Sequence, residues 1–492
     1  MEKTLLLNLL VKIKKIAGNE PVWVAGGPVR DLALGRNFLD LDLVVPQDAI
    51  HLARRFAEKY GGTFLVLHDE EGVARVVIKK AIVDFSQFRG NAETIEQDLL
   101  LRDFSINGMA LSLEDFAYFL KQGSKLEEIL DSPALIDPVK GREDLKQGLI
   151  RAISRKNLED DPLRLVRAFR FMAELGFKIE DLTLKWIQEL APLIRNPAPE
   201  RVDHELHLIM VSNSAAKAFK AMLDVGLLFE LFPEIEQMSG VDQPGFHHLD
   251  VLGHSIEALR CMEKLIKDPC IKFSNCEKIK HWLKHNGEKI PALKWAAFFH
   301  DVGKPVCKGQ KGERVTFYEH DSAGANILKE IAKRLRWPKK RTEFAALLIR
   351  LHMRPFHLLN DLRKSGPTKR AMRRLIKKIG DDYPALFLLA MADSMAGKGP
   401  LKPPELDDEL ARLWEKIDHF HQNTLKPVKS RPRLLTGNDL QQIFGLPQGP
   451  LIGQILDAIE EAQVEGKINN KQQAISLVTA FLKDNSKLEP SK

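Results

Sequence analysis

Hydrophobic and polar positions follow two different patterns along this chain, and the change falls near residue 150. Before it, strand-like runs such as PVWVA, DLDLVV and AIVDFSQF alternate with helical segments such as AIHLARRFAEKYGG. After it, the strand pattern nearly disappears and apolar residues recur at helical spacing, as in DPLRLVRAFRFMAELG. The pattern therefore predicts an α+β fold, with a mixed sheet in an α/β head and helices in everything that follows.

Turn and linker signals divide the chain further. The proline-rich segment GKGPLKPPELDD is typical of a linker, and GNDLQQIFGLPQGPLIGQILDAIEEAQVEG indicates two helices joined by a turn containing Gly and Pro. At the N-terminus, lysines interrupt the apolar run LLLNLLVKIKKIAG, which favours an amphipathic helix over a signal peptide. We predict four domains: an α/β head at 1–150, a helical neck at 151–238, a second helical domain at 239–397 and a helical tail at 398–492.

Composition adds a cellular context. The 492 residues are 44% hydrophobic and 29% charged, as in ordinary globular proteins, and no apolar stretch approaches the ~20 residues of a membrane span. The net charge of +7 is a modest argument for a polyanionic partner. The cysteines form no C-x-x-C pair, so we expect reduced thiols in a cytoplasmic protein with no membrane association: Cys261, Cys270, Cys276 and Cys307.

Two aspartates interrupt the apolar strand DLDLVV. Residues two apart in a strand share a face, so Asp40 and Asp42 project together, with leucines on the other side. Asp84, in the strand AIVDFSQF, is expected to meet them across the sheet. Neighbouring carboxylates repel unless a cation lies between them, and oxygen ligands suit Mg²⁺. Three such groups predict a two-metal site for phosphoryl transfer, whereas the D-x-D pair alone would fit an exposed edge strand.

A glycine pair precedes this strand in the segment GGPVRDLALGRNFLDLDLVV. Without side chains, Gly26 and Gly27 allow backbone N–H groups to approach a triphosphate closely, although a glycine pair by itself also fits a plain tight turn. Arg30 follows and is placed to neutralise phosphate charge. The combination in one strand–turn–helix–strand unit indicates a nucleotide site.

The same segment resembles the signature of class II tRNA nucleotidyltransferases and bacterial poly(A) polymerases, within the polymerase-β-like superfamily. The resemblance implies that Asp40 and Asp42 bind catalytic Mg²⁺, with Gly26, Gly27 and Arg30 around the triphosphate. It implies an enzyme that adds C and/or A residues to the tRNA 3′ end from CTP and ATP, releasing pyrophosphate. The partner would be the acceptor arm of tRNA, recognised by shape. No oligomeric state is predicted.

A second segment, LLLRDFSINGMAL, is similar to the second motif of this family. Its polar residues are Arg102, Asp103 and Asn107. The resemblance implies that Arg102 offers its planar donor fork to phosphate, while Asp103 and Asn107 bond the ribose. Alternatively, Asp103 caps the segment that follows it.

A third segment, LEDDPLRLVRAFRF, resembles the family motif that reads the incoming base. The motif falls on Asp160, Asp161 and Arg164, and the spacing of the last two predicts that they share a helix face near its start. Alternatively, one of the two aspartates caps the helix N-terminus. An Asp acceptor beside an Arg donor matches the Watson–Crick edges of C and A and repels those of U and G. Arg167 either supports Asp161 or the phosphates, or is a solvated charge.

The second helical domain contains histidines and aspartates in an order that resembles HD-domain phosphohydrolases. Mixed imidazole and carboxylate ligands suit a transition metal such as Ni²⁺, Co²⁺ or Mn²⁺. The resemblance implies one metal bound by His254, His300, Asp301 and Asp393. It implies that His320 and His352 form a second site or bind phosphate. Lys304 contacts phosphate or is exposed. The residues, in chain order, are His254, His300, Asp301, His320, His352 and Asp393.

Several functions share these motifs. Four outcomes fit a nucleotidyltransferase with these motifs: addition of CCA, of CC only, of A only, or of poly(A). The arginine-rich segment expected of a poly(A) polymerase is missing after D-x-D. Another class is a phosphohydrolase with a vestigial head, against which the three head carboxylates argue. A third is a non-catalytic RNA-binding protein. The basic segments at 333–341 and 363–380 either bind an RNA backbone or are solvated faces.

Overall fold

The computed structural model describes residues 3–38, 40–78, 81–243, 245, 248–312, 314–364 and 366–486. The chain forms two compact units, 1–232 and 233–492. The finer division into four domains stays a prediction. Within the described ranges, no helix combines the length and the apolar character needed to cross a bilayer.

The first unit is built on a mixed six-stranded sheet with strand order β3-β4-β5-β2-β1-β6. Strands β2 and β5 run parallel, and the other neighbours are antiparallel. The predicted mixed sheet is therefore confirmed. The strands of this unit, including a short parallel pair β7–β8 outside the main sheet, are β1 (Trp23–Ala25), β2 (Asp40–Val45), β3 (Thr63–His68), β4 (Val73–Ile78), β5 (Ala81–Gln87), β6 (Ala110–Ser112), β7 (Leu149–Ile150) and β8 (Lys178–Ile179).

Helices cover the sheet and form the rest of the unit. The predicted amphipathic helix at the N-terminus is confirmed, since α1 buries Leu6, Leu9 and Ile13. Gly61 ends α3 in the left-handed conformation that glycine adopts without strain. The helices are α1 (Lys3–Ala17), α2 (Gly27–Ala33), α3 (Ala49–Tyr60), α4 (Ile95–Leu100), α5 (Leu113–Gln122), α6 (Leu126–Leu130), α7 (Gly141–Gln147), α8 (Arg155–Asp160), α9 (Leu163–Leu175), α10 (Asp181–Leu190), α11 (Pro199–Val211), α12 (Ala215–Asp224) and α13 (Leu227–Leu231).

Among its described residues, the second unit is helical apart from one short hairpin. Almost every residue of its α21 is buried, as expected for a helix that is apolar all round. The hairpin has strands β9 (Gly309–Lys311) and β10 (Arg314–Thr316), too short to give an alternating signal in the sequence. The helices are α14 (Val251–Lys267), α15 (Glu277–His285), α16 (Ile290–Phe299), α17 (His320–Arg334), α18 (Lys339–Leu351), α19 (Arg354–Lys364), α20 (Lys369–Ile379), α21 (Tyr383–Ala396), α22 (Leu406–Phe420), α23 (Lys426–Ser430), α24 (Gly437–Phe444), α25 (Pro450–Glu465) and α26 (Lys471–Ser486).

The basic helix α20 docks on the acidic helix α25 of the tail. Arg373 is buried and contacts Asp457 at 2.5 Å and Glu460 at 3.2 Å. Arg370 pairs with Glu461 at 2.5 Å. Part of the basic segment 363–380 therefore holds the tail in place, and only its remaining exposed cations are candidates for an RNA contact.

The expectation of four reduced thiols is wrong for one pair. Cys270 and Cys276 form a disulfide, while Cys261 and Cys307 are free. A 3₁₀ turn at Pro269–Ile271 folds the chain back and brings the paired Cα atoms to 5.4 Å. The sequence spacing alone gave no sign of this approach.

Gly303 lies where the turn after α16 packs against the start of α17. A Cβ atom at this position would lie 2.3 Å from the His320 carbonyl oxygen and 2.5 Å from the Gly324 nitrogen. Because these are backbone atoms that cannot rotate away, we expect Gly303→Ala to lower the free energy of unfolding by about 1–3 kcal/mol. Thermal unfolding measures this. Gly287→Ala is the control, since nothing lies within 4 Å of its added Cβ. Equal melting temperatures for the two variants would contradict the close packing.

Candidate functional site

The three predicted carboxylates of the head lie on neighbouring strands. In the parallel pairing of β2 with β5, Asp42 is directly opposite Asp84. Leu41 and Leu43 are fully buried on the other face, while Asp40 is exposed and Asp42 is half-buried. The sequence prediction that Asp84 meets the D-x-D pair across the sheet is therefore confirmed as a matter of geometry.

This cluster carries more negative charge than its surroundings balance. Burial, together with the neighbouring Asp84 carboxylate, raises the pKa of Asp42 to about 6 and also raises the pKa of Asp40. An uncompensated group of carboxylate oxygens fits a hard divalent cation such as Mg²⁺. Sequence reasoning missed Arg75 on β4, which donates two hydrogen bonds of 2.8 Å to the two oxygens of Asp84. Nothing in its local sequence signals this role, because the contact comes from cross-strand register.

The glycine pair lies beside these carboxylates. Gly26 has φ 79°, and a Cβ there would lie 2.6 Å from a guanidinium nitrogen of Arg102, so only glycine fits. A Cβ on Gly27 would lie 3.8 Å from Arg30 and 4.0 Å from Asp42. The N–H of Gly26 is already engaged, since it donates to the Met109 carbonyl at 3.0 Å.

Arg102 is buried at the back of this site. It donates to Asp98 at 3.3 Å, and Arg89 shares the same carboxylate at 2.9 Å. Burial and the nearby Arg89 charge lower the pKa of Arg102 to about 10, so it remains a cation at neutral pH. The predicted phosphate-binding guanidinium is thus present next to Gly26.

A chain of hydrogen bonds joins the first two sequence motifs. Arg30 donates to the Asn107 side-chain oxygen at 2.6 Å, and the Asn107 amide donates to Asp103 at 3.0 Å. Asp103 also accepts from Arg167 on α9 at 2.7 Å. All but Arg167 are buried. These side chains bind one another, so the ribose contacts predicted for Asp103 and Asn107 stay predictions.

Ion pairs connect this chain of hydrogen bonds to helices α9 and α11. Burial would raise the pKa of Asp103, but Arg167 and Arg164 outweigh it and hold the pKa well below its usual range. Glu205 on α11, another residue that sequence reasoning missed, is buried and contacts Arg167 at 3.2 Å and Arg170 at 2.7 Å. Arg167 is therefore an ion-paired residue and not a solvated helix charge.

The predicted base-reading residues do not share a helix. Asp161 lies in an extended break between α8 and α9, because the following Pro162 disfavours helical geometry at the residue before it. The expectation of a common helix face is wrong, and Pro162 was a signal available in the sequence. Arg164 lies in the first turn of α9 and donates to the Asn157 carbonyl at 3.0 Å. Arg201 on α11, also missed, donates to Asp161 at 3.1 Å.

Two neighbouring residues complete this region. Asp160 pairs with Lys156 at 2.7 Å on the exposed side of α8. Burial lowers the pKa of Arg164, although this guanidinium stays charged. The structure thus brings Arg164 and Asp161 to the N-terminal end of α9, where Arg164 also donates to the Arg102 carbonyl at 3.4 Å.

In the second unit, the six predicted HD residues converge and are all buried. Two groups have ligand atoms within 4.8 Å of one another and are composed to hold a metal ion. Asp301 belongs to the group with His320 and His352, whereas the resemblance implied that it binds a metal together with His254, His300 and Asp393. The groups are His254 with His300 and Asp393, and Asp301 with His320 and His352.

Asp301 faces both groups with different oxygens. Its Oδ2 lies 3.1 Å from His300 Nε2 and 3.7 Å from His254 Nε2. Its Oδ1 lies 3.5 Å from His320 Nε2 and 3.9 Å from His352 Nε2. Asp301 therefore belongs to both predicted sites.

Backbone contacts set the tautomers of three histidines. The Nδ1 atoms of His300, His320 and His352 lie 2.9, 2.7 and 2.6 Å from carbonyl oxygens one turn earlier in the chain. A carbonyl only accepts, so Nδ1 donates and each of the three rings turns its Nε2 atom towards the cluster. The Nε2 atoms of His320 and His352 are 3.2 Å apart. Such a set of converging nitrogens and carboxylates fits a divalent transition metal.

The charges of this cluster support the same conclusion. Burial disfavours an imidazolium, but Asp301 and Asp393 outweigh it and raise the pKa of His300 to about 10. Burial and the adjacent His320 lower the pKa of His352 to about 3. The carboxylates thus retain a proton on His300, and a bound cation would take the place of that proton.

Models of known families match four parts of the chain. They are the poly A polymerase head domain at 22–151, the RNA and SrmB-binding site of polymerase A at 176–238, the HD domain at 251–418 and tRNA nucleotidyltransferase domain 2 at 409–478. The fold and the carboxylate cluster define the class of this protein as a nucleotidyltransferase that carries an HD domain.

Relatives extend over almost the whole chain. The A-adding tRNA nucleotidyltransferase of Deinococcus radiodurans is 30% identical over 94% of this chain and 95% of its own. The CC-adding tRNA nucleotidyltransferase of Thermus thermophilus is 31% identical over 91% of both. A solved structure of the Thermotoga maritima CCA-adding enzyme complexed with tRNA has the same fold, at TM-score 0.62, 22% identity and 98% and 99% coverage. The chain therefore belongs to the tRNA nucleotidyltransferase family.

The raised pKa of Asp42 predicts a stability effect. The pKa of Asp42 is higher in the folded than in the unfolded protein, so the folded state favours the protonated carboxyl. The stability of the folded state is therefore greatest below the unfolded pKa, and the contribution of Asp42 is lost as the pH rises through about 6. Because Asn mimics the protonated form, Asp42→Asn should stabilise the protein in EDTA at pH 8 by up to about 3 kcal/mol. The gain should vanish near pH 4. Thermal unfolding across this range, with exposed Asp69→Asn as control, tests it; no gain at pH 8 would refute the charge repulsion.

Proposed function

We propose that this protein is a tRNA nucleotidyltransferase that adds C and/or A residues to the tRNA 3′ end from CTP and ATP. The observation that carries the proposal is the pairing of Asp42 with Asp84 beside Asp40, next to the turn that holds Gly27 and Arg30. Its partners are the tRNA acceptor arm and the two nucleotides, and its place is the cytoplasm.

The reaction is a phosphoryl transfer. The proton of the tRNA 3′-hydroxyl passes to Asp84 or to solvent, and the oxygen forms a bond to the α-phosphorus of the nucleotide. The bond between the α-phosphorus and the oxygen that bridges to the β-phosphate breaks, and pyrophosphate leaves with that oxygen. Asp40, Asp42 and Asp84 would hold Mg²⁺, which when bound supplies charge neutralisation at the phosphates. Arg102, a buried cation beside Gly26, contributes positive charge where the triphosphate binds.

Base choice follows from the residues at the start of α9. Asp161 is an acceptor and Arg164 a donor, and C and A both present an amino donor beside a ring-nitrogen acceptor. U and G present the opposite pattern, so they would leave buried polar groups unpaired. Arg201 holds Asp161 at 3.1 Å and thereby limits where this acceptor points.

The number of nucleotides added is a finer question. Four relatives match over nine-tenths of both chains, and they are named for adding only A (one relative) or only CC (three relatives). These names favour a half-enzyme, which adds only CC or only A, over an enzyme that adds the complete CCA end. They also favour it over a poly(A) polymerase, whose substrate need not be a tRNA.

Three tRNA transcripts, ending at the discriminator base, at C and at CC, distinguish these outcomes. With Mg²⁺ and CTP, ATP or both, products are sized at single-nucleotide resolution. A half-enzyme either extends the shorter transcripts only as far as CC or adds one A only to the transcript that ends in CC. Three additions give a CCA-adding enzyme, and a long ladder with ATP on any RNA gives a poly(A) polymerase. No addition under any condition would refute the proposal.

A second activity is supported by the two metal-ligand groups of the HD domain. Asp301 faces both groups, and three histidines present Nε2 to the cluster, which is a suitable arrangement for hydrolysing a phosphate ester. We propose that the second unit is a phosphohydrolase that uses Ni²⁺, Co²⁺ or Mn²⁺, in addition to the activity of the head.

A pair of variants separates the two activities. Asp40→Ala should lower nucleotide addition on the order of a hundredfold or more and leave hydrolysis of an aryl phosphate unchanged. His254→Ala should do the reverse. Loss of both activities in either variant, with an unchanged melting temperature, would contradict two independent sites. Absence of hydrolysis in the unaltered protein with all three metals would refute the HD activity alone.

A further inference from the structure

A cavity of about 1070 Å³ opens beside the HD residues. Asp301 and Asp393 line it, together with the aromatic side chains of Phe317, Tyr318 and Phe356. Its volume lies at the upper end of the range for small-molecule sites, and its aromatic surfaces suit a flat organic group. The cavity thus offers room for a substrate directly at the metal-ligand residues.

Gln243 contributes a buried polar group to this cavity. Its side chain is 5% exposed, and its Oε1 accepts a hydrogen bond from the Lys304 ammonium. An ammonium group only donates, so it must face the amide oxygen, and the amide NH₂ must point the other way. This NH₂ has no hydrogen-bond partner among the residues that the structure describes.

The cost of this arrangement points to a ligand. A buried donor without a partner costs about 1–3 kcal/mol, so proteins rarely retain one unless something else satisfies it. Lys304 in turn contacts Asp301 Oδ2 at 2.6 Å, which fixes the amide next to the metal-ligand carboxylate. Lys304 is therefore buried and ion-paired, and the alternative of an exposed lysine is wrong.

Cationic residues around the cavity are already engaged. Arg363 pairs with Glu409. Lys402 donates to Asp407 at 2.9 Å and to the Ser394 carbonyl at 2.6 Å. Recognition of an oxygen-rich group in this cavity therefore depends on the amide of Gln243 more than on free positive charge.

We propose that Gln243 is a substrate-binding residue of the HD site, whose amide NH₂ donates a hydrogen bond to a phosphoryl oxygen of a small phosphate ester with a flat organic group. Lys304 positions the amide, and the metal-ligand residues face the phosphorus. The inference rests on the proposed phosphohydrolase activity and adds to it a residue that binds the substrate.

Gln243→Glu tests the proposal, because it keeps the size of the side chain and its contact with Lys304 but replaces the donor with a negatively charged oxygen. Isothermal titration with inorganic phosphate measures binding, and p-nitrophenyl phosphate measures hydrolysis, both on the Mn²⁺-loaded full chain. We expect the Kd for phosphate and the KM for the ester to rise about tenfold or more, equivalent to about 1.4 kcal/mol. Metal content and melting temperature should not change.

Two further variants complete the design. Gln442→Glu makes the same charge change at an exposed position of α24 and should behave as the unaltered protein. Gln243→Met removes the donor without adding charge, and it should also raise the Kd and KM, by a smaller factor. If both Gln243 variants bind phosphate and hydrolyse the ester within twofold of the unaltered protein, the role of Gln243 is refuted. If the unaltered protein neither binds phosphate nor hydrolyses the ester, the HD activity itself fails.

Discussion

The repulsion among carboxylates on one face of the head sheet is the constraint on which the rest of that unit depends. Leu41 and Leu43 are fully buried on the opposite face, and this fixes the register of β2, because a slip of one residue would exchange the two faces. The register in turn sets Asp42 opposite Asp84. Burying carboxylates beside one another is costly, and the fold keeps this arrangement at the site proposed to bind a cation and a triphosphate.

The surroundings of this cluster are organised by paired charges. The hydrogen-bonded chain from Arg30 through Asn107 and Asp103 to Arg167 links α2, which follows the glycine turn, to α9. Because each of these side chains is hydrogen-bonded to the next, the network holds them in fixed positions. Glu205 continues it to α11, which also supplies Arg201 to Asp161. One connected set of contacts therefore positions the residues proposed to hold the phosphates and those proposed to read the base.

The second unit uses the same physical principle with different ligands. Backbone carbonyls orient the histidine rings, and a single carboxylate, Asp301, is shared between two groups of ligands. In the head, burial and the neighbouring Asp84 carboxylate raise the pKa of Asp42, whereas in the second unit Lys304 and the histidines balance the carboxylates that face the ligand groups. Hard oxygen ligands in the head and mixed nitrogen and oxygen ligands in the HD domain would favour different metals.

The sequence by itself determined the element types, the change from mixed sheet to helices, and the identities of both candidate sites, because period-two and helical patterns and short motifs are local properties. It could not determine contacts that depend on register or on packing between distant elements. Arg75 reaches Asp84 through strand pairing, and Gln243 reaches Lys304 across 61 positions. Asp161 was misplaced because Pro162 breaks the helix, and Cys270 and Cys276 were left unpaired. Tertiary structure decided these points, because only the folded chain sets which side chains share a buried volume and which charges must be balanced there.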